Sequence, residues 1–131
     1  MGRIVVPLTV SNALDRERTV RFDALVDTGA YGLTLPRSWR PRFGALPLLR
    51  SIELETADGR TIVGEVCGPV IIHIDGFDVI SGEVTFIDAG ADESHVEPLL
   101  GHIVLQASRA AVDLAHDRLV HVRYLDLKRV A

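Results

Sequence analysis

The chain has 131 residues, enough for one domain and not two. Its net charge of −4 makes it a poor holder of a phosphate backbone, which needs clustered cations, so no nucleic-acid partner is expected. No apolar run approaches the roughly 18 residues of a membrane span, so no membrane partner is expected either.

Gly and Pro punctuation cuts the chain into short pieces that read as strands. Ile4 to Val10 is apolar and β-branched, and Ser11-Asn12 signals a turn after it. Pro7 predicts an edge strand, or one whose outer side is free. Asp15 to Arg18 reads as a charged, solvated loop, and Thr19 to Val26 alternates before closing apolar. Trp39 and Phe43 lie in a Pro- and Arg-rich loop from Pro36 to Pro47, where they either cap the core or rim a cleft. Ile52 to Glu55 alternates strictly. Asp58-Gly59 then signals a two-residue type I′ hairpin turn, with positive φ expected at both positions, and Thr61 to Val66 returns. Val70 to Ile74, Glu83 to Ile87, Ala111 to Leu114 and Leu119 to Val122 complete the strands, with an acidic loop from Asp88 to Glu97. His102 to Ala115 fits one amphipathic helix, or else a short helix near Gly101 to Ser108 followed by a hairpin turning at Ala115 to Arg118; the second is preferred. Strands this short and this closely spaced predict an all-β barrel or sandwich, one domain over residues 1–131.

A single cysteine, Cys67, rules out an internal disulfide and a four-thiolate zinc site, and it reads as a small buried hydrophobe. Met1-Gly2-Arg3-Ile4 leads into a strand pattern with no signal-peptide core, so a reduced, soluble, cytoplasmic domain is expected. The five histidines, His73, His95, His102, His116 and His121, show no metal-ligand spacing, so no metal and no cofactor are expected.

The stretch that carries chemistry is Ala24-Leu25-Val26-Asp27-Thr28-Gly29-Ala30. An apolar strand ends on a carboxylate, which is costly to bury alone. Gly29 permits a tight turn and close backbone approach, and Thr28 brings a hydroxyl. Taken alone, these residues describe either an ordinary strand-to-loop turn or a carboxylate displayed beside a dry core.

This stretch resembles the active-site motif of the retropepsin-like aspartic proteases, with Asp27-Thr28-Gly29-Ala30 matching their Asp-Thr-Gly-Ala. The hairpin carrying Asp58-Gly59 resembles their flap, and Pro98-Leu99-Leu100-Gly101 resembles the apolar-apolar-Gly element before their short helix. The resemblance runs from about Ile4 to Val122, and the tail from Arg123 to Ala131 has no counterpart. It implies a retropepsin-like closed β-barrel with a flap hairpin and one short helix after Gly101. It also implies an aspartic endopeptidase that acts on a peptide or protein substrate without metal. The implied catalytic residues are Asp27, Thr28 and Gly29; Ala30, Tyr31, Ala57, Asp58, Gly59 and Leu100 are the implied substrate-binding ones.

Only one Asp-Thr-Gly is present, so the resemblance implies a homodimer with Asp27 of each subunit on the two-fold axis. Retroviral members commonly carry an acidic residue after Asp-Thr-Gly-Ala and a basic one after the later Gly, and these pair. Here the positions hold Tyr31 and His102, so the bracing ion pair is absent. That departure leaves a second possibility, a catalytically silent retropepsin-fold module for peptide binding or dimerisation. A third is an unrelated β-barrel ligand-binding domain in which Asp27 only caps a turn.

Overall fold

A computed structural model of the chain describes residues 3–56, 58–88 and 96–123. Ala57, His95, most of the acidic loop and the tail after Arg123 lie outside the described residues. The strands are β1 (Val5–Asn12), β2 (Asp15–Val26), β3 (Leu33–Pro36), β4 (Leu48–Glu55), β5 (Thr61–Ile74), β6 (Val79–Ile87), β7 (Leu99–Leu100), β8 (Ala110–Asp113) and β9 (Arg118–His121). A 3-10 helix covers Arg37–Phe43 and one α-helix, α1, covers His102–Ala107.

Seven strands form one sheet in the order β1-β2-β7-β3-β6-β5-β4, and β1 also pairs with β5, which closes the sheet into a barrel. β1 is therefore interior, not an edge. Pro7 is tolerated because β5 pairing starts only at Leu8–Ile74, and the Pro7 carbonyl accepts from the Asp75 N–H at 3.1 Å where that ladder ends. The charged run Asp15 to Arg18 is strand and not loop. β2 begins at Asp15 and keeps pairing with β1 past an irregularity at Ser11/Asn12, with its charged side chains exposed. Thr61 to Val66 and Val70 to Ile74 are one long strand with an irregularity between Cys67 and Val70.

The core follows from alternation. Leu8 and Val10 of β1 point inward, as do Val70, Ile72 and Ile74 of β5 and Val84 and Phe86 of β6. The 3-10 helix adds Phe43, fully buried with its ring centroid 5.8 Å from that of Phe86. Trp39 is half-buried edge-on to Phe22 at 5.2 Å, under the Arg42 guanidinium at 4.7 Å from its centroid. Both aromatic residues cap the core, and neither rims the cleft described below. Each such fully buried side chain contributes about 2 kcal/mol of hydrophobic stabilisation.

The two C-terminal elements match the preferred division into short helix and hairpin. α1 is followed by the β8–β9 hairpin, whose turn is Leu114 to Asp117, one residue earlier than expected. Arg109 makes the join at φ 56. Its guanidinium grips Asp78 at 2.7 and 3.2 Å, tying the hairpin to the β5–β6 turn.

Candidate active site

β2 ends at Val26 and β3 begins at Leu33, and the loop between them carries Asp27. The two-residue β7 is wedged between those strands, parallel to β2 through Leu25–Leu99 and Val26–Leu100 and antiparallel to β3 through Leu33–Leu100 and Thr34–Leu99. The loop is laced to the chain that follows β7. The Asp27 N–H donates to the Leu100 carbonyl at 3.0 Å, and the Gly101 N–H donates to Gly32 at 3.0 Å. The N–H groups of His102 and Ile103 donate to the carbonyls of Ala30 and Tyr31, both at 2.9 Å.

Gly101 is required here by space, not by backbone angle: its φ is −88. A Cβ on it would lie 2.6 Å from the Ala30 oxygen, 2.6 Å from the Tyr31 carbonyl carbon and 2.7 Å from the Gly32 nitrogen. The Leu-Leu-Gly element is thus the surface against which the Asp27 loop is pressed.

Within the loop, the Asp27 Oδ1 accepts from the Gly29 N–H at 3.0 Å, and the Asp27 carbonyl accepts from the Ala30 N–H at 3.0 Å. Asp27 is half-buried, while Thr28 and Gly29 are exposed. Among the described residues, the Gly29 N–H is the only donor to that carboxylate. Asp27 and Thr28 open onto a shallow depression of about 190 Å³ with apolar walls, including Ile4, Leu25, Val26, Val112 and Leu114. Leu114, 63% exposed, stands at this face.

Tyr31 and His102 form a different brace from the ion pair whose absence the sequence announced. The His102 Nδ1–H donates to the Ala30 carbonyl at 2.9 Å, so that oxygen receives both the side-chain and the backbone N–H of one residue. The Tyr31 and His102 rings meet edge-to-face at 5.5 Å. The signal for this was present in the sequence, since both residues of the expected charged pair are replaced together by aromatic rings.

Asp58 and Gly59 sit at the tip of the β4–β5 hairpin, as expected, but the turn is of another type. Only Gly59 has positive φ, 83, and the Gly59 N–H donates to Thr56 at 2.9 Å. The Thr56 N–H donates to the Arg60 carbonyl at 2.7 Å. That is a three-residue connection with glycine in the left-handed position, in place of the two-residue type I′ turn. The reason is local. Asp58 stays at negative φ and its carboxylate takes the Thr56 hydroxyl, the Arg60 N–H and the Arg60 guanidinium. These bonds, that from Thr56 foremost, hold the Asp58 carboxyl below the usual carboxylate range.

Leu100 departs from its expected role. Its side chain is fully buried in the core and has no surface for a peptide; its carbonyl holds Asp27. Ala30 is half-buried and Tyr31 exposed. Cys67 is buried, and burial pushes its thiol pKa up, which suits a packing group and not a nucleophile. Among the described residues, no group of three or more His, Cys, Asp or Glu gathers to hold a metal, and no helix is long and apolar enough to cross a membrane.

No family model matches the chain, and no curated protein matches it. Among solved structures it is similar to the EIAV protease complexed with the inhibitor HBY-793. The TM-score is 0.62, with 19% identity over 86% of this chain and 94% of that one. It is also similar to the retroviral protease-like domain of Ddi1 from Leishmania major. Here the TM-score is 0.59, with 20% identity over 95% of this chain and 91% of that one. At such identities the likeness is one of fold: the chain has the all-β retropepsin-like fold, with the flap hairpin and the short helix after Gly101.

Proposed function

We propose that the chain is an aspartic endopeptidase that works as a homodimer. The observation that carries this is the state of Asp27. A carboxylate with one hydrogen-bond donor is displayed on a rigidly laced loop, at an open face with apolar walls, in a chain with a single Asp-Thr-Gly. A second copy related by a two-fold axis through this face supplies the missing partner, the same residue again.

In that dimer two Asp27 carboxyl groups share one proton, because like charges about 3 Å apart cannot both ionise. The ionised one takes a proton from a water, whose oxygen attacks the scissile carbonyl carbon; the protonated one donates a hydrogen bond, then its proton, to the carbonyl oxygen. Collapse of the resulting gem-diol breaks the C–N bond as the amine nitrogen takes up a proton from the protonated Asp27, while a gem-diol hydroxyl gives its proton to the ionised one as C=O re-forms, which returns the dyad to its single shared proton. No metal enters this chemistry. The Gly29 N–H on Oδ1 keeps each carboxylate oriented, the two Thr28 hydroxyls cross-link the loops, and the flap tip around Asp58-Gly59 pairs with an extended peptide through main-chain hydrogen bonds.

The silent-module alternative leaned on the missing charged brace. His102 and Tyr31 supply a brace of another kind, which removes that reason. The deciding test is Asp27→Asn. Asn keeps the size but accepts no proton from water, so peptide-library hydrolysis should fall to background, while the melting transition stays at least as high at a pH where the second carboxyl of the wild-type pair would ionise, since that repulsion is removed. Equal hydrolysis by both forms would rule out the protease; no hydrolysis by either would favour the silent module.

A further inference from the structure

The β4–β5 hairpin has two faces, and its register says which of them looks toward the catalytic loop. β4 and β5 pair Ile52 with Gly64 and Leu54 with Ile62. The Thr56 N–H on the Arg60 carbonyl, at 2.7 Å, carries this ladder one pair past Glu55–Thr61. Alternate residues share a face, so Thr56 and Arg60 fall on the face of Ile52 and Val66. Those two line an apolar cavity of about 550 Å³ that Tyr31 and Gly32, in the loop after Asp27, line as well. Glu53, Glu55, Val63 and Glu65 fall on the other face. Arg60 is thus the cation at the hairpin tip on the side that meets the site.

Arg50 shares that face, and the two arginines differ in what they have left to donate. The fork of Arg50 is spent, because its Nη1 and Nη2 go to the two Glu83 oxygens at 3.1 and 2.9 Å. Arg60 uses only Nε, which donates to Asp58 Oδ2 at 2.9 Å, and its side chain is 68% exposed. Its Nη1 and Nη2 groups have no partner among the described residues. A guanidinium can meet carboxylates along two edges, and Asp58 occupies the Nε side. The end-on fork stays open, and the Asp58 contact fixes the direction in which it points. Asp58 in turn spends its charge on the Thr56 hydroxyl, the Arg60 N–H and that Nε. What the tip offers a peptide is two parallel N–H donors on an oriented cation, the pattern that matches a carboxylate.

We propose that Arg60 is a specificity-determining residue, whose guanidinium fork donates to the side-chain carboxylate of a substrate Glu or Asp lying beneath the flap tip. This rests on the proteolytic role proposed above. The class of substrate is therefore an extended peptide with an acidic residue at that position.

Two measurements separate failure of this assignment from failure of the protease assignment. The first is position-resolved cleavage of a library carrying Glu, Gln or Lys at each position, by the wild type and by Arg60→Gln, Arg60→Lys and Arg60→Glu. Glu and Gln match in size and differ in charge. The wild type should favour Glu over Gln at one position by about tenfold, because a bidentate charged pair is stronger than a neutral hydrogen bond. Arg60→Gln should abolish that ratio, Arg60→Lys should keep part of it, and Arg60→Glu should favour Lys there. Glu and Gln cleaved alike at every position overturns the assignment. So does a slower Arg60→Gln with the ratio intact, the mark of a residue that only shapes the turn. The second measurement needs no catalysis: NMR of the Arg60 Nε–H in the Asp27→Asn protein, titrated with acetyl-Ala-Ala-Glu-Ala-Ala-amide. A saturable shift at Arg60, absent with the Gln analogue and absent at Arg50, supports the carboxylate site even if nothing is ever cleaved. An Arg60 resonance that does not respond overturns it.

Discussion

His102 closes the loop that carries Asp27 by placing two donors on one acceptor: its backbone N–H and its Nδ1–H both reach the Ala30 carbonyl, each at 2.9 Å. The imidazole is thereby held with its proton on Nδ1, and its ring lies against Tyr31. Where the sequence lacks a pair of opposite charges, the loop is braced by a hydrogen bond and an aromatic contact, neither of which needs a counter-charge.

The brace predicts an ordering among substitutions at position 102. Asn presents an amide N–H at nearly the distance of Nδ1 from the backbone; Gln presents it one carbon further out, and Ala presents none. His102→Asn should keep peptidase activity within about threefold. His102→Ala should lose about 1 kcal/mol of stability in urea melts and at least tenfold in kcat/KM, and Gln should resemble Ala. Equal losses for Asn and Ala would show that the ring contact with Tyr31, and not the hydrogen bond, holds the loop.

Gly101 and Gly59 are glycines for different reasons, and two alanine variants should show it. Gly101→Ala forces a methyl into three backbone atoms at 2.6–2.7 Å and should cost about 3 kcal/mol, with loss of activity because the Asp27 loop must move. Gly59→Ala meets nothing within 4 Å and suffers only from φ 83, so it should cost about 1 kcal/mol. Denaturant midpoints at constant slope would check both.

Dimerisation through the Asp27 face predicts a surface variant that leaves the fold alone. Leu114 is exposed in the single chain, so Leu114→Glu should melt as the wild type does at low concentration. In the dimer it would bring a charge into an apolar interface, weakening association by about 2–3 kcal/mol. Sedimentation and activity should fall together. An unchanged dimer would place the interface elsewhere.

The hairpin clamp predicts acid sensitivity of a definite sign. Hydrogen bonds from the Arg109 guanidinium, with His121 adding to them, hold the Asp78 carboxyl below the usual carboxylate range in the folded state. Its contribution is therefore complete above the ordinary Asp value of about 4 and is lost as pH falls through the lower folded value. Wild type should melt higher than Asp78→Asn at pH 6, and the gap should close between about pH 4 and pH 2. A gap that stays constant over that range would mean that the clamp does not depend on charge.

The strand alternation, the order of the hairpins and the Asp-Thr-Gly at the end of an apolar run are local properties, written in periods of two residues and in turn chemistry. They were legible without coordinates, and so was the flap, because glycine at 59 and apolar alternation on either side need no partner to be recognised. The turn type was not legible, since Asp58 chose its backbone angle by hydrogen-bonding with Thr56 and Arg60. The edge position predicted for Pro7 failed because barrel closure by β5 is a long-range pairing, as β1 meets residues some 60 positions away in sequence. Leu100 was misread as a substrate contact for a related reason: the motif marks where the backbone is needed, and only packing reveals that the side chain faces the core. The demand for glycine at 101, the Nδ1 bond of His102 and the apolar cavity beside the flap all arise between segments 20 to 80 residues apart. Sequence determined which residues sit at the loop. Tertiary structure alone decided how tightly that loop is held and what lies next to it, because those are properties of distances that no single segment contains.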